Sequence, residues 1–227
     1  MKRPELVFLA ITLCSIAAQA AEDLSGKVFS FPQYGRTPHV RLTPSNSSTQ
    51  VSATFCLRVF TDFDHYEFAL FSTATAKQSR SFTVIRRGAE KQYQIVVDGN
   101  EVNFYGLPFD LNKWNSICVT LDGKPGLSQI FVNGIHSLKK EHMPGVSIAD
   151  NPIIILGRDQ NNYGGELDRK KGFVGQMRNV NMWNYVFSPC EIESYMQELV
   201  YNTGNNIDWK KMDFSHHGVL LENYETC

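Results

Sequence analysis

The feature that most restricts the fold of this chain is a series of short apolar, β-branched and aromatic segments, each closed by a turn signal. VSATFCLRVF and YEFALFSTA are strand-like, with DFDH between them. SFTVI, YQIVV and EVNFYG follow, joined at Arg87-Gly88 and at Asp98-Gly99-Asn100. Asp-Gly between two apolar runs is a strong hairpin signal, because a tight primed turn needs positive φ at its centre. SICVTL and SQIFVNG continue the series, with turns around Gly123 to Gly126 and at Asn133-Gly134, and PIIIL and FVGQMRNVNMW complete it. Many strands at this spacing without intervening helices predict an all-β fold, an antiparallel two-sheet sandwich or jelly roll. One short helix is predicted near the C-terminus. Ser188-Pro189-Cys190-Glu191 supplies a capping residue, proline at the first helical position and a glutamate three residues on, a capping box that opens a helix reaching to about Val200.

The first twenty residues read as a signal peptide: Lys2 and Arg3, then a mostly apolar stretch from Leu6 to Ala18, then the small-residue site Ala18-Gln19-Ala20. The apolar run is too short to span a bilayer, so a secreted chain starting near Ala21 is expected, with residues 21–227 as a single domain large enough for its own core. Lys and Arg number 22 against 23 Asp and Glu, a balance with no footprint for nucleic acid or an acidic membrane surface. Beyond the leader lie Cys56, Cys118, Cys190 and Cys227, and secretion makes disulfides the default. Four cysteines allow three pairings. Cys56 and Cys118 each sit inside a strand pattern, which suits a bridge between core strands; Cys190 would then pair with Cys227 in the same chain, with a bridge to a neighbouring subunit as the alternative. Zinc is disfavoured, because neither C-x-x-C nor H-x-x-x-H spacing occurs. Asn46-Ser47-Ser48 is a glycosylation sequon in a polar loop.

ILGRDQNNYGG followed by NVNMWNYVFSPCEI closely resembles the short pentraxin family. KVFSFP, FCLRVFTDF, FALFSTAT and the ICVT strand fall in the family's order, so the resemblance covers essentially the whole chain after the leader. It implies a flattened jelly-roll protomer of the lectin and laminin-G type, a Cys56–Cys118 disulfide and a cyclic homo-oligomer, a pentamer by expectation. Two departures stand out. Arg178 occupies a position where the family has glycine. Ser116-Ile117-Cys118-Val119-Thr120-Leu121-Asp122 lacks the histidine and tryptophan of the family's short signature, and Leu121 is expected to fill the space of the missing indole.

The resemblance also implies two adjacent calcium ions held from two places. Calcium takes six to eight oxygen ligands in irregular geometry. The loop after ILG carries over as Asp159, the backbone carbonyl of Gln160, Asn161 and Asp168, all oxygen donors. The second place is degraded. Ser79 and Arg80 stand where the family has an Asp-Asn pair, and Lys171 stands where it has a glutamine ligand. Three outcomes stay open: Arg80 and Lys171 pair with Asp168 and Asp159 in the metal's stead, one weak calcium ion binds, or a full two-ion site forms.

By the same resemblance the ligands are phosphocholine, phosphorylated groups or glycans on surfaces, with complement-type partners. Glu101 in the DGNE turn matches the glutamate that faces choline, while Arg86-Arg87 stand where its apolar wall would be. The implied function is that of a pattern-recognition protein of innate immunity. Two other classes compete. A laminin-G-like adhesion module would share the sandwich. A glycan hydrolase on such a sandwich needs paired carboxylates, but the nearest match, Glu166-Leu167-Asp168-Arg169-Lys170-Lys171, ends in lysine. No Ser/His/acid or Cys/His set is discernible, so no catalysis is expected.

Overall fold

The structure, a computed structural model, describes residues 21–33, 38–160, 162–163, 167–168, 170–199 and 202–224. In chain order the strands are β1 (Lys27–Phe31), β2 (His39–Thr43), β3 (Ser52–Phe60), β4 (Glu67–Ala74), β5 (Phe82–Arg87), β6 (Gln92–Val97), β7 (Asn100–Tyr105), β8 (Asn115–Asp122), β9 (Leu127–Val132), β10 (Ile135–His136), β11 (Lys140–Glu141), β12 (Ile153–Leu156) and β13 (Gly175–Trp183). Helix α1 (Pro189–Met196) follows, then β14 (Asp213–His217) and β15 (Leu220–Asn223). One sheet runs β10-β9-β8-β3-β13-β1-β15, with β11 also on β9; the other runs β14-β2-β12-β4-β5-β6-β7. Two antiparallel sheets with these crossovers form the jelly-roll sandwich.

The period of two along β3 shows how the layers form. Phe55, Leu57 and Val59 point between the sheets, where Phe55 stacks on Phe71 at 3.8 Å. Cys56 points to the opposite face, where α1 covers it together with Trp183, Phe187, Ile192 and Tyr195. Both faces of β3 are therefore buried, and its sequence reads as a continuous apolar run rather than an alternation. Cys56 and Cys118 lie directly opposite on β3 and β8 and form a disulfide. Leu121 is fully buried in the main core, as its place in the short signature requires.

Turn chemistry sets the hairpin registers. Asp98 and Gly99 have φ of 48° and 75°, and Asn133 and Gly134 have 51° and 83°, the positive pair that a primed turn needs. Helix α1 opens on the expected capping box, with Ser188 and Glu191 bonded reciprocally. It stops at Met196, short of the expected Val200, because Glu198 adopts φ of 56° and turns the chain out of the helix. Arg58 closes that end by donating to the carbonyls of Tyr195 at 2.8 Å and Met196 at 3.1 Å. Six strands go beyond the sequence reading of runs and turns. Of these, β2 and β14 pair with each other at one edge of the second sheet, and β15 lies at the edge of the first. The leader, residues 1–20, lies outside the described residues, and so does Cys227. Cys190 is exposed and has no disulfide partner among the described residues.

Candidate functional site

The loop between β12 and β13 is fastened to the second sheet before it reaches any functional side chain. Gly157 starts it at φ of 80°, and a Cβ there would fall 2.5 Å from the Phe31 ring, so only glycine permits this entry. Arg158 is fully buried; it donates to the carbonyls of Pro38 at 3.3 Å and Asp168 at 3.2 Å. Gln160 turns its side-chain amide inward, to the Ser72 and Ile153 carbonyls at 3.0 Å each. Asp159, held between these two anchors, has nowhere to swing.

Its carboxylate is 0% exposed and meets two cations. Arg80 Nη2 donates to Oδ2 at 2.7 Å and Nε to Oδ1 at 3.4 Å, while Lys171 Nζ donates to Oδ2 at 3.3 Å. Arg80 is carried by the turn before β5 in a left-handed conformation, φ 52°. Lys171 is placed by a bulge in β4: the register shift between Ala69 and Phe71 frees the Ala69 N–H to bond the Lys171 carbonyl at 3.2 Å. Further carboxylates flank both cations. Glu101 Oε1 accepts from Arg80 Nη1 at 3.1 Å, and its Oε2 accepts from Gln94 at 3.0 Å. Glu67 Oε1 lies 3.0 Å from Lys171 Nζ, close enough for an ion pair though not aligned as a hydrogen bond, and Glu67 Oε2 lies 3.6 Å from Arg87 Nε.

The sequence Glu101–Arg80–Asp159–Lys171–Glu67–Arg87 is thus an alternating chain of three carboxylates and three cations. Its formal charge cancels without a metal. Burial opposes the charged guanidinium of Arg80, yet the charge and hydrogen bonds of Asp159, with Glu101 adding to them, hold its pKa above the ordinary arginine value.

Among the residues expected to hold calcium, the structure brings few together. Asp159 is spent on two cations. Asp168 does not pair with Arg80 or Lys171, as one of the three outcomes expected; its Oδ1 accepts from the Lys170 N–H at 2.8 Å, bracing its own turn. Both cations converge on Asp159 instead, the carboxylate that is fully buried. Gln160 pairs with Leu167 in an isolated bridge, and Asn161 lies outside the described residues. Ser79 is exposed on the turn. Glu101, expected to face choline, is bound to Arg80. Among the described residues no group of three or more His, Cys, Asp or Glu is placed to hold a metal ion. A calcium ion at Asp159 would have to displace an ammonium and a guanidinium already in contact with its oxygens. The donor set does not fit a two-ion calcium site. Glu67 was missed by sequence reasoning, and nothing distinguishes it there from any glutamate at a strand start.

A two-sheet jelly roll with this topology, a polar loop cluster on one sheet and a capped helix over the other, defines a protein of the lectin-like sandwich class. The family model described as Pentaxin family matches residues 27–222, and the chain belongs to that family. It is similar to the serum amyloid P-component of Mesocricetus auratus, 30% identical over 206 residues that cover 91% of this chain and 86% of that protein. It is also similar to the C-reactive protein of Sus scrofa, 30% identical over 220 residues covering 97% and 96%. In fold it matches the native heptameric SAP-like pentraxin of Limulus polyphemus, with a TM-score of 0.78 at 20% identity over 88% of this chain and 96% of that one.

Proposed function

We propose that this chain is a secreted, non-catalytic recognition protein of innate immunity. It assembles as a cyclic homo-oligomer, taken here as a pentamer, and it binds phosphate-, choline- or glycan-bearing surfaces without a calcium bridge. Family membership supports the recognition role, and relatives such as C-reactive protein and serum amyloid P-component support secretion. The observation that carries the metal-independent part is the pair of cations on Asp159. Arg80 and Lys171 occupy the charge role that calcium would hold, and both oxygens of that carboxylate already accept from them. A ligand approaching this face meets Arg80 and Lys171, each about one-fifth exposed, rather than a metal. The N-glycan, if Asn46 carries one, belongs to the loop after β2, where Asn46 Oδ1 accepts from the Ser48 N–H at 2.9 Å.

The test is capture of the secreted protein on phosphocholine-, phosphate- and glycan-coated surfaces, in calcium and again in chelator. Retention on at least one surface, equal in both buffers, is expected. Retention only in calcium would overturn the metal-independent reading, and retention on none would overturn the recognition reading.

A further inference from the structure

We infer that a pocket on the larger sheet, beside the end of α1, binds a small carboxylic acid, with Arg178 and Trp209 as its donors. The site is separate from the Asp159 cluster on the second sheet and does not rest on the function proposed above. A bulge in β13 builds it. The pairing of β13 with β3 shifts register between Arg178 and Asn181, and Asn179 takes a left-handed φ of 53°. Bulges re-aim side chains. This one is held in shape by the Asn179 carbonyl, which accepts from the Tyr195 hydroxyl at 2.6 Å and from Asn181 Nδ2 at 3.1 Å. The pocket has a volume of about 300 Å³, at the small end of ligand cavities, and its wall includes Arg178, Asn179, Glu198, Asp208, Trp209 and Lys210.

Two buried donors in that wall lack an acceptor. Arg178 is 9% exposed and Trp209 4%, and neither Arg178 Nε nor Trp209 Nε1 meets a hydrogen-bond partner among the described residues. A buried indole N–H ordinarily finds a partner, and leaving a buried donor unmade is costly. Both nitrogens are shut off from bulk solvent, so an acceptor that serves them has to sit inside the pocket. Both groups are also fixed from outside it. Trp209 donates its backbone N–H to Asn181 Oδ1 at 3.1 Å and sets its ring edge-on to Phe29 at 5.4 Å. The Arg178 guanidinium lies 4.7 Å from the Trp114 ring centre and 4.3 Å from that of Tyr224, and its Nη2 donates to Glu198 at 2.9 Å.

Charge decides the kind of acceptor. Arg178 and Arg58 lie directly opposite on β13 and β3, and a single oxygen of Glu198 accepts from both. Like charges in that position repel, and one carboxylate offsets one guanidinium. Arg58 also has the two carbonyls that close α1, whereas Arg178 has ring faces besides Glu198. The other charged groups, Asp208 and Lys210 in the wall and Asp23 facing Lys210, are solvated and of both signs, so they are screened. The buried excess is therefore one positive charge, and it falls on Arg178. A carboxylate matches it, and its two oxygens suit the two unserved donors; a phosphate dianion brings one charge too many. Arg178 stands where the family has glycine, which makes the site a property of this chain.

The test is calorimetric titration of the full chain with acetate, benzoate and inorganic phosphate at fixed pH and ionic strength. Wild type is expected to bind a carboxylate saturably, in the millimolar range or tighter, as ordinary ligand efficiency gives for fewer than about ten heavy atoms. Arg178→Met keeps the aliphatic stem and removes the cation, while Trp209→Phe keeps a ring against Phe29 and removes the N–H. Each should weaken binding about tenfold. The carboxylate should also raise the unfolding temperature of wild type more than that of Trp209→Phe, a readout that stands even if Arg178→Met does not fold. No saturable carboxylate binding by wild type, binding unchanged in either folded variant, or uptake of phosphate alone would overturn the assignment. Surface capture through the second sheet would stand in each of those cases.

Discussion

Replacing Arg80 by methionine isolates the electrostatic work of the buried cluster. Both side chains are unbranched at Cβ, so the left-handed backbone at this position, φ 52°, carries similar strain in each and cancels. The substitution removes the contacts at 2.7 and 3.4 Å from a carboxylate that is 0% exposed and leaves Lys171 at 3.3 Å as its only cation among the described residues. Two unit charges about 4 Å apart interact by about 4 kcal/mol at an effective dielectric of 20. Breaking a buried pair by removing one partner costs about 3–5 kcal/mol. Arg80 is 19% exposed and Lys171 remains, so the loss is expected near the lower end, about 3 kcal/mol. Arg80→Met/Asp159→Leu should cost less than the two single changes summed, with an interaction of at least about 1.5 kcal/mol, because it removes the uncompensated anion as well. Urea unfolding at one fixed protein concentration reads both values, the concentration being held because assembly contributes to apparent stability. An Arg80→Met protein within about 0.5 kcal/mol of wild type, or strict additivity in the double variant, would refute the reasoning.

Three further outcomes follow from other parts of the fold. Gly157→Ala combines a φ of 80° with a Cβ 2.5 Å from Phe31 and should cost about 3 kcal/mol in thermal or urea unfolding; a loss below about 1 kcal/mol would contradict the loop entry described. Replacing Cys56 and Cys118 together by alanine opens a loop with a sequence separation of 62 and should cost about 4 kcal/mol, checked against the wild type in the same denaturant series. His142 donates from Nδ1 to the Asn100 carbonyl at 3.2 Å and accepts at Nε2 from the Ser128 hydroxyl at 2.7 Å, a neutral ring with both nitrogens satisfied. Burial lowers its pKa, and the Asn100 bond only partly offsets this. The unfolded chain therefore takes up a proton near pH 6.5 before the folded one does. This contribution to stability is complete above that pH and declines as pH falls toward the lower folded value. His142→Gln should flatten that slope in urea midpoints measured across the window, and an unchanged slope would count against it.

The strands that were legible in the sequence are those buried on both faces or closed by Asp-Gly and Asn-Gly turns, such as β3, β6 and β8. β2 and β14 escaped because HVRLT and DFSHH are short edge segments with polar outward positions, and their pairing is a tertiary event. The ligand positions were legible as residue types: Ser79, Arg80 and Lys171 announced that oxygen donors had been replaced. Their geometry was not. Distribution of the two cations between Asp159 and Asp168 depends on which carboxylate is buried, and Asp168 turns back to its own backbone. Glu67 and Glu101 complete the cluster from other strands, and Glu101 looked like a ligand contact until Arg80 was placed beside it.

Calcium titration by calorimetry, comparing wild type with Ser79→Asp/Arg80→Asn/Lys171→Gln, bears most directly on the claim that Arg80 and Lys171 stand in the metal's place. The triple change removes both cations from Asp159 and adds one carboxylate and two amide oxygens, the ligand chemistry that calcium uses. Wild type is expected to give no saturable heat in the micromolar range, and the triple variant to bind calcium measurably more tightly. Two ions bound at micromolar affinity by the wild type would contradict the account.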